Sequence, residues 1–283
     1  MTTYKELEGT NIEVLASDPS NPVEGQIWYN STSNVLKGEA ATTAGAWATG
    51  NSMNTARSGL GGAGTQAAAL GFAGYSPPVL YRAYTESYNG TNWTEVNDLN
   101  LGRAQLAGAG IQTAALAFGG VTSPPTVNRA QTETWNGTNW TEVNDLNSAR
   151  REIGGSGTNT AALAFGGSPP GTTAITESWN GTNWTEVNDL NTARRDVASS
   201  IGTSNTSALA AGGYVGPPYV AVTEEYNGTN WTEVADLSSV RSNLGGVGTV
   251  SAGLVFGGQA PFTGATEEWT GAGVAVTRTF DDT

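Results

Sequence analysis

Neither cysteine nor histidine occurs anywhere in the 283 residues. Disulfides are therefore impossible, and redox compartment cannot be read from cysteine usage. Ser-His-Asp and Cys-His nucleophile systems are excluded for the same reason. Any metal site would have to be built from oxygen ligands alone. Charge is scarce too: 13% of residues are charged, and lysine occurs only at Lys5 and Lys37. With 25 acidic and 12 basic side chains, the formal net charge is −13. No basic stripe exists to neutralise phosphates, so nucleic acid is not expected as a partner. No apolar run is long enough to cross a bilayer as a helix. The opening Met1-Thr-Thr-Tyr-Lys-Glu6 is polar and does not read as a signal peptide. Low charge can accompany disorder, but nine tryptophans and a strict period argue for a folded chain.

That period is the main content of the sequence. Trp135-Asn-Gly-Thr-Asn-Trp140-Thr-Glu-Val-Asn-Asp-Leu-Asn147 recurs, almost letter for letter, from Tyr88, Trp179 and Tyr226. The second tryptophan of each copy is Trp93, Trp140, Trp184 and Trp231, spaced by 47, 44 and 47 residues. A fixed period in this range signals a propeller, solenoid or array. Two further marks recur. One is an arginine after a turn, at Arg57, Arg103, Arg150, Arg194 and Arg241. The other is a small apolar run ending in a glycine pair, as in Ala162-Leu-Ala-Phe-Gly166-Gly167. From tryptophan to the last glycine of the pair the interval is 27, 27, 29 and 27 residues. Trp47 to Gly74 is also 27, which makes Trp47 a degenerate copy of the tryptophan position.

Within a period the pattern is that of strands. Thr132 to Trp135 and Trp140 to Val143 are β-rich and flank Asn136-Gly137, a strong hairpin signal in which both residues tolerate positive φ. Ala161 to Phe165 reads as a short buried strand, preceded by a strand of small residues from Ile153 to Gly157. Four strands in roughly 45 residues is the size of a propeller blade.

Arginine, apolar-Gly-Gly, aromatic and Trp at these spacings resemble the Kelch repeat from about Ala46 to Trp269. Where Kelch repeats usually place an acidic residue after the third-strand aromatic, this chain has Asn136, Asn180 and Asn227. The Asp18-Pro-Ser-Asn-Pro22 and Glu24-Gly-Gln-Ile-Trp28-Tyr29-Asn30 leader, with the wording of the repeats, is similar to Kelch-like virion proteins of marine tailed bacteriophages. The copper oxidases that share Kelch-type propellers need His and Cys ligands, so their activity is excluded.

The expected fold is all-β: a five-bladed Kelch-like propeller of four-stranded blades over residues 35–283, after an attachment segment at residues 1–34. Five arginines imply five inner strands, and the strand at Trp47 falls where the fifth blade's outer strand belongs, sealing the ring. Val35-Leu36 is taken into the worn half-repeat before Arg57. Residues 274–280 alternate and read as an extra strand or an alternative outer strand. The small inner strands suit a tight axis. The repeat residues Arg57, Arg103, Arg150, Arg194 and Arg241 are expected to hydrogen-bond between blades. Glu142 and Asp145 are expected to satisfy backbone groups and the repeat arginine. Trp47, Trp93, Trp140, Trp184 and Trp231 are expected in the core.

The loops between second and third strands diverge most, and loops on a rigid scaffold often carry binding. Tyr81, Arg82, Arg129, Tyr214, Tyr219 and Phe262 are the candidate ligand residues, suited to stacking on sugars or pairing with anionic groups. Pro-stiffened connection is the plainer reading of the same loops. No catalytic, metal or cofactor site is expected. The resemblance implies a non-enzymatic virion protein: tail fibre, adhesin or decoration. It would sit in many copies per particle, bound to other virion proteins through its N-terminal segment, with host-surface polysaccharide as a ligand. A carbohydrate-active enzyme and a protein-interaction scaffold are the alternatives.

Overall fold

The structure, a computed structural model, describes residues 12–17, 19, 27–38, 50–78, 80–259 and 262–271. Every regular element among the described residues is a β-strand. The chain divides into two compact units at Gly50/Asn51.

In the first unit, Ile27–Asn30 lies between a parallel neighbour, Glu13–Leu15, and an antiparallel one, Val35–Gly38. Its turn is held by Asn30, whose Oδ1 accepts from the Thr32 and Ser33 N–H groups at 3.0 Å each. Val35 and Leu36 pair with Asn30 and Tyr29. They therefore pair with the leader's strand, inside the compact unit that ends at Gly50. Trp47 and residues 274–280 lie outside the described residues, as does most of the leader.

The second unit is a succession of antiparallel meanders. The first consists of Gly61–Thr65, Ala68–Phe72, Thr85–Tyr88 and Trp93–Val96. The second is Ala107–Ile111, Ala114–Phe118, Thr132–Trp135 and Trp140–Val143. The third is Gly154–Gly157, Ala162–Phe165, Thr176–Trp179 and Trp184–Val187. The fourth, Ala198–Ser204, Ser207–Ala211, Thr223–Tyr226 and Trp231–Glu233, joins the three strands Gly245–Gly248, Ala252–Phe256 and Thr266–Thr270 through one parallel bridge, Ile201 to Gly248. These sheets are compatible with a β-propeller.

The core lies between sheets. Ala-Leu-Ala-Phe165 is buried along its whole length, as a strand covered on both faces must be. Phe72 meets Trp140 of the next meander at 5.0 Å, Phe118 meets Trp184 at 4.9 Å, and Phe165 meets Trp231 at 5.1 Å. The indole N–H groups of Trp140, Trp184 and Trp231 donate to Thr85, Thr132 and Thr176 of the preceding meander at 3.0, 3.0 and 3.1 Å. First strands must be small because the aromatic beneath leaves no room: a Cβ on Gly154 would lie 2.3 Å from the Phe165 ring. A Cβ on Gly108 would lie 2.5 Å from the Gly62 carbonyl of the preceding sheet.

The arginines work both between meanders and within one: the backbone carbonyls of Arg103, Arg150, Arg194 and Arg241 accept from the Gly74, Gly120, Gly167 and Gly213 N–H groups of the preceding meander at 2.8–2.9 Å, while the side chains stay inside their own meander. Arg103 pairs with Glu133 at 2.5 Å and donates to the Gly119 carbonyl, all within one sheet and its own connector. Arg57 pairs with Glu86, Arg150 with Glu177, Arg194 with Glu224 and Arg241 with Glu267. The connector asparagine three residues before each of the first four arginines satisfies the other carboxylate oxygen: Asn100 reaches Glu133 through its backbone N–H at 2.7 Å and its side chain at 2.8 Å. The arginine's acidic partner is thus not the one expected. Glu142 is exposed on the fourth strand, and Glu133 on the third holds the arginine. Asp145 does satisfy backbone, accepting from the Thr132 N–H at 3.0 Å.

The Asn-Gly hairpins form, by a different turn from the one expected. Only Gly137 has positive φ, at 92°, while Asn136 does not. The Asn136 Oδ1 instead accepts from Thr138 and Asn139 N–H at 2.9 and 2.8 Å, closing an Asx turn.

Candidate functional site

Two residues after each repeat arginine, the backbone turns into the left-handed region. These residues are Gly59, Gln105, Glu152, Asp196 and Asn243, with φ between 53° and 58°. They are linked in series. The Gln105 N–H donates to Gly59 O at 2.7 Å, Glu152 to Gln105 O at 2.9 Å, Asp196 to Glu152 O at 3.1 Å and Asn243 to Asp196 O at 3.0 Å. The residue before each is bridged to the start of a second-to-third-strand loop: Ser58 to Tyr75, Ala104 to Val121, Arg151 to Ser168, Arg195 to Tyr214 and Ser242 to Gln259. The divergent loops and the left-handed residues thus share one end of the unit.

A cavity of about 560 Å³ opens there, and all five left-handed residues line it. Leu60, Leu106, Ile153, Val197 and Leu244, one residue further on, form its apolar part. Tyr75 and Tyr81 of the first loop complete the wall. Holding L-residues at positive φ costs on the order of 1 kcal/mol each, less for Asn and Asp, and such strain concentrates at functional sites.

Charge at this end is paired. Glu152 meets Arg195, lies 3.5 Å from Arg151 Nε and accepts from the Gln105 amide at 3.0 Å. Arg195 lies 3.8 Å from Asp196 and 4.8 Å over the Tyr214 ring. Burial, and then the neighbouring Glu152 carboxylate, push the Asp196 carboxyl up to about 6, with Arg195 and Arg151 opposing. Among the described residues, no group of three or more acidic side chains is placed to hold a metal ion.

The candidate loop residues fall into separate places. Tyr81 lines the large cavity and, with Arg129, a smaller one of about 300 Å³ beside Thr122, Pro124 and Pro125. Arg129 is held there by a 2.9 Å bond to Thr122 Oγ1. Arg82 packs over the Tyr84 ring at 5.0 Å within its own loop. Tyr214 and Tyr219 pack edge to face at 5.2 Å beside Arg195. Phe262 stands apart and is 89% exposed. Sequence reasoning overlooks Gln105, Glu152, Asp196, Asn243 and Arg195. The available signal is the second position after the repeat arginine, which reads Gly, Gln, Glu, Asp and Asn inside an otherwise fixed frame.

No family model matches this sequence, and no curated protein does.

Proposed function

We propose that this chain is a five-bladed Kelch-like propeller and a non-enzymatic structural protein of a bacteriophage virion. It serves as tail fibre, adhesin or decoration, in many copies, anchored to other virion proteins through residues 1–34. Its loop end faces the host surface. The observation that carries this reading is the cavity lined by five equivalent left-handed residues beneath the divergent loops. Two further features favour a closed ring. The Thr266–Thr270 strand pairs with Ala252–Phe256 on one side only among the described strands, leaving an edge for a fourth strand. The connector before Arg57 makes the bonds of an ordinary connector, with Asn54 donating to Glu86 at 2.7 and 2.9 Å. Closure would bring the Gly59 N–H to the Asn243 carbonyl.

Mass spectrometry of purified particles tests the virion assignment. The chain should be present at many copies per particle, and its absence would reject the proposal. Multimerised protein should also adsorb to host cells or their polysaccharide.

One observation favours a carbohydrate-active enzyme as a second reading. Asp196, raised to about 6 beside Glu152, has the environment of a general acid. Against it, Glu152 is already engaged by Arg195, Arg151 and Gln105. Release of reducing sugar from host polysaccharide, abolished by Asp196→Asn, would establish the enzyme.

A further inference from the structure

We propose that the loop-end cavity binds one neutral hexose unit of a glycan, with Gln105, Glu152, Asp196 and Asn243 meeting its hydroxyls and Tyr75 and Tyr81 walling its apolar face. The proposal rests on the reading of the loop end as the ligand-facing surface and names what that surface takes.

Size comes first. About 560 Å³ lies within the roughly 300–1,000 Å³ typical of small-ligand pockets. The polar inventory comes next. Gln105 gives one amide N–H to Glu152 at 3.0 Å and keeps its second N–H and its carbonyl oxygen, the Asn243 amide both donates and accepts, and ionised Glu152 and Asp196 only accept. A set that mixes donors with acceptors suits vicinal hydroxyls, each of which does both.

Charge then narrows the ligand. Glu152 and Asp196 face Arg151 and Arg195, so the four side chains cancel. A divalent cation would have to displace the arginines from their carboxylates. A uronate or sialate would bring its anion against the cavity wall, which Glu152 and Asp196 line and neither arginine does. A neutral sugar does neither.

The fifth position supplies the asymmetry a sugar ring needs. Gly59 has no side chain, and among the described residues this first repeat alone sends loop residues, Tyr75 and Tyr81, into the cavity wall. The two rings pack edge to face at 5.8 Å, which fixes their orientation before any ligand arrives. Glu152 and Asp196 lie two and three steps along the chain of backbone bonds from Gly59. The cavity thus combines an aromatic wall from one repeat with hydroxyl-binding groups from the others, the usual pairing of apolar and polar sugar faces.

The test uses the full chain on an array of neutral hexose oligosaccharides and of uronate- and sialate-containing glycans. Each hit is then titrated by calorimetry with the free oligosaccharide. Binding to neutral glycans alone is expected. Tyr81→Ala should weaken it about tenfold or more, and Tyr81→Phe should not. Asn243→Gly should weaken it several-fold while relieving a left-handed residue, so it decides the matter even if Tyr81→Ala fails to fold. Absence of neutral-glycan binding, preference for acidic glycans, or affinity unchanged in both Tyr81→Ala and Asn243→Gly would each overturn the proposal. Loss of the virion reading shows separately, as absence of the chain from purified particles.

Discussion

The outer rim and the loop end of the second unit use the same repeat in opposite ways. At the rim, the fourth strands of the first three meanders are each followed by an asparagine that reaches the next hairpin: Asn97 to Asn139, Asn144 to Asn183 and Asn188 to Asn230, all at 2.7 Å. Where the following hairpin lacks its Asn-Gly-Thr-Asn, the position becomes Ala235. At the loop end, one equivalent position carries Gly, Gln, Glu, Asp and Asn under loops of unequal length. Repetition is kept where sheets must join and is abandoned around the cavity. The repeat thus separates sheet joining from the lining of the cavity by position within the repeat rather than by domain.

The sharpest way to break the joined side is to orphan a buried charge. Glu177→Leu leaves Arg150 fully buried without its partner and should cost about 3–5 kcal/mol in urea unfolding. The double variant with Arg150→Met should recover much of that loss, and failure to recover would assign the cost to packing alone. Removing an inter-sheet tryptophan comes next. Trp140→Ala should cost about 3–5 kcal/mol, the usual range for a buried large aromatic. Trp93, which is only partly buried, should cost less than half as much. Equal losses would contradict the inter-sheet role of the Phe72–Trp140 contact.

The cavity side should respond in the other direction. The Asp196 pKa is raised in the folded state, so the stability that comes from protonating it is fully present below its ordinary 3.8. That stability is lost as pH rises through about 6. Asp196→Asn should therefore be more stable than the parent by about 2 kcal/mol at pH 8 and converge with it near pH 3.5, read from Tm at the two pH values. A parent more stable than the variant at pH 8 would mean that the ion pair with Arg195 outweighs burial. The smallest effect belongs to the rim ladder. Asn144→Ala should change stability by no more than about 0.5 kcal/mol, because the bond is exposed and one position already carries alanine.

Much of this organisation is legible in the amino-acid sequence. The hairpins, the four-strand period and the inter-sheet tryptophans follow from residues whose chemistry is local or strictly repeated. The arginine is legible and its partner is not. Glu133 and its equivalents share a strand face with the buried aromatic two residues on, but a carboxylate reads as a solvent-facing residue, and only the buried arginine opposite makes it a core one. The Asn136 turn is ambiguous because Asn-Gly fits two hairpin geometries, and the side-chain bond to Thr138 and Asn139 selects between them. Cavity residues escape notice for a different reason. A variable position looks unconstrained in sequence, whereas positive φ at Gln105 and Glu152 constrains the backbone and leaves the side chain free. Val35 and Leu36 lie close to the repeats along the chain, but strand pairing with Tyr29 and Asn30 places them in the other unit.

The left-handed residues impose an alphabet on whatever lineage inherits this scaffold. β-Branched side chains are penalised most at such φ values, and glycine, asparagine and aspartate least. Diversification of the mouth would thus proceed through a handful of polar letters, each swapped without touching the buried Arg–Glu pairs inside the meanders or the tryptophan contacts that build the sheets. Single substitutions two residues past an arginine would then re-line the cavity while leaving the aromatic contacts between sheets in place.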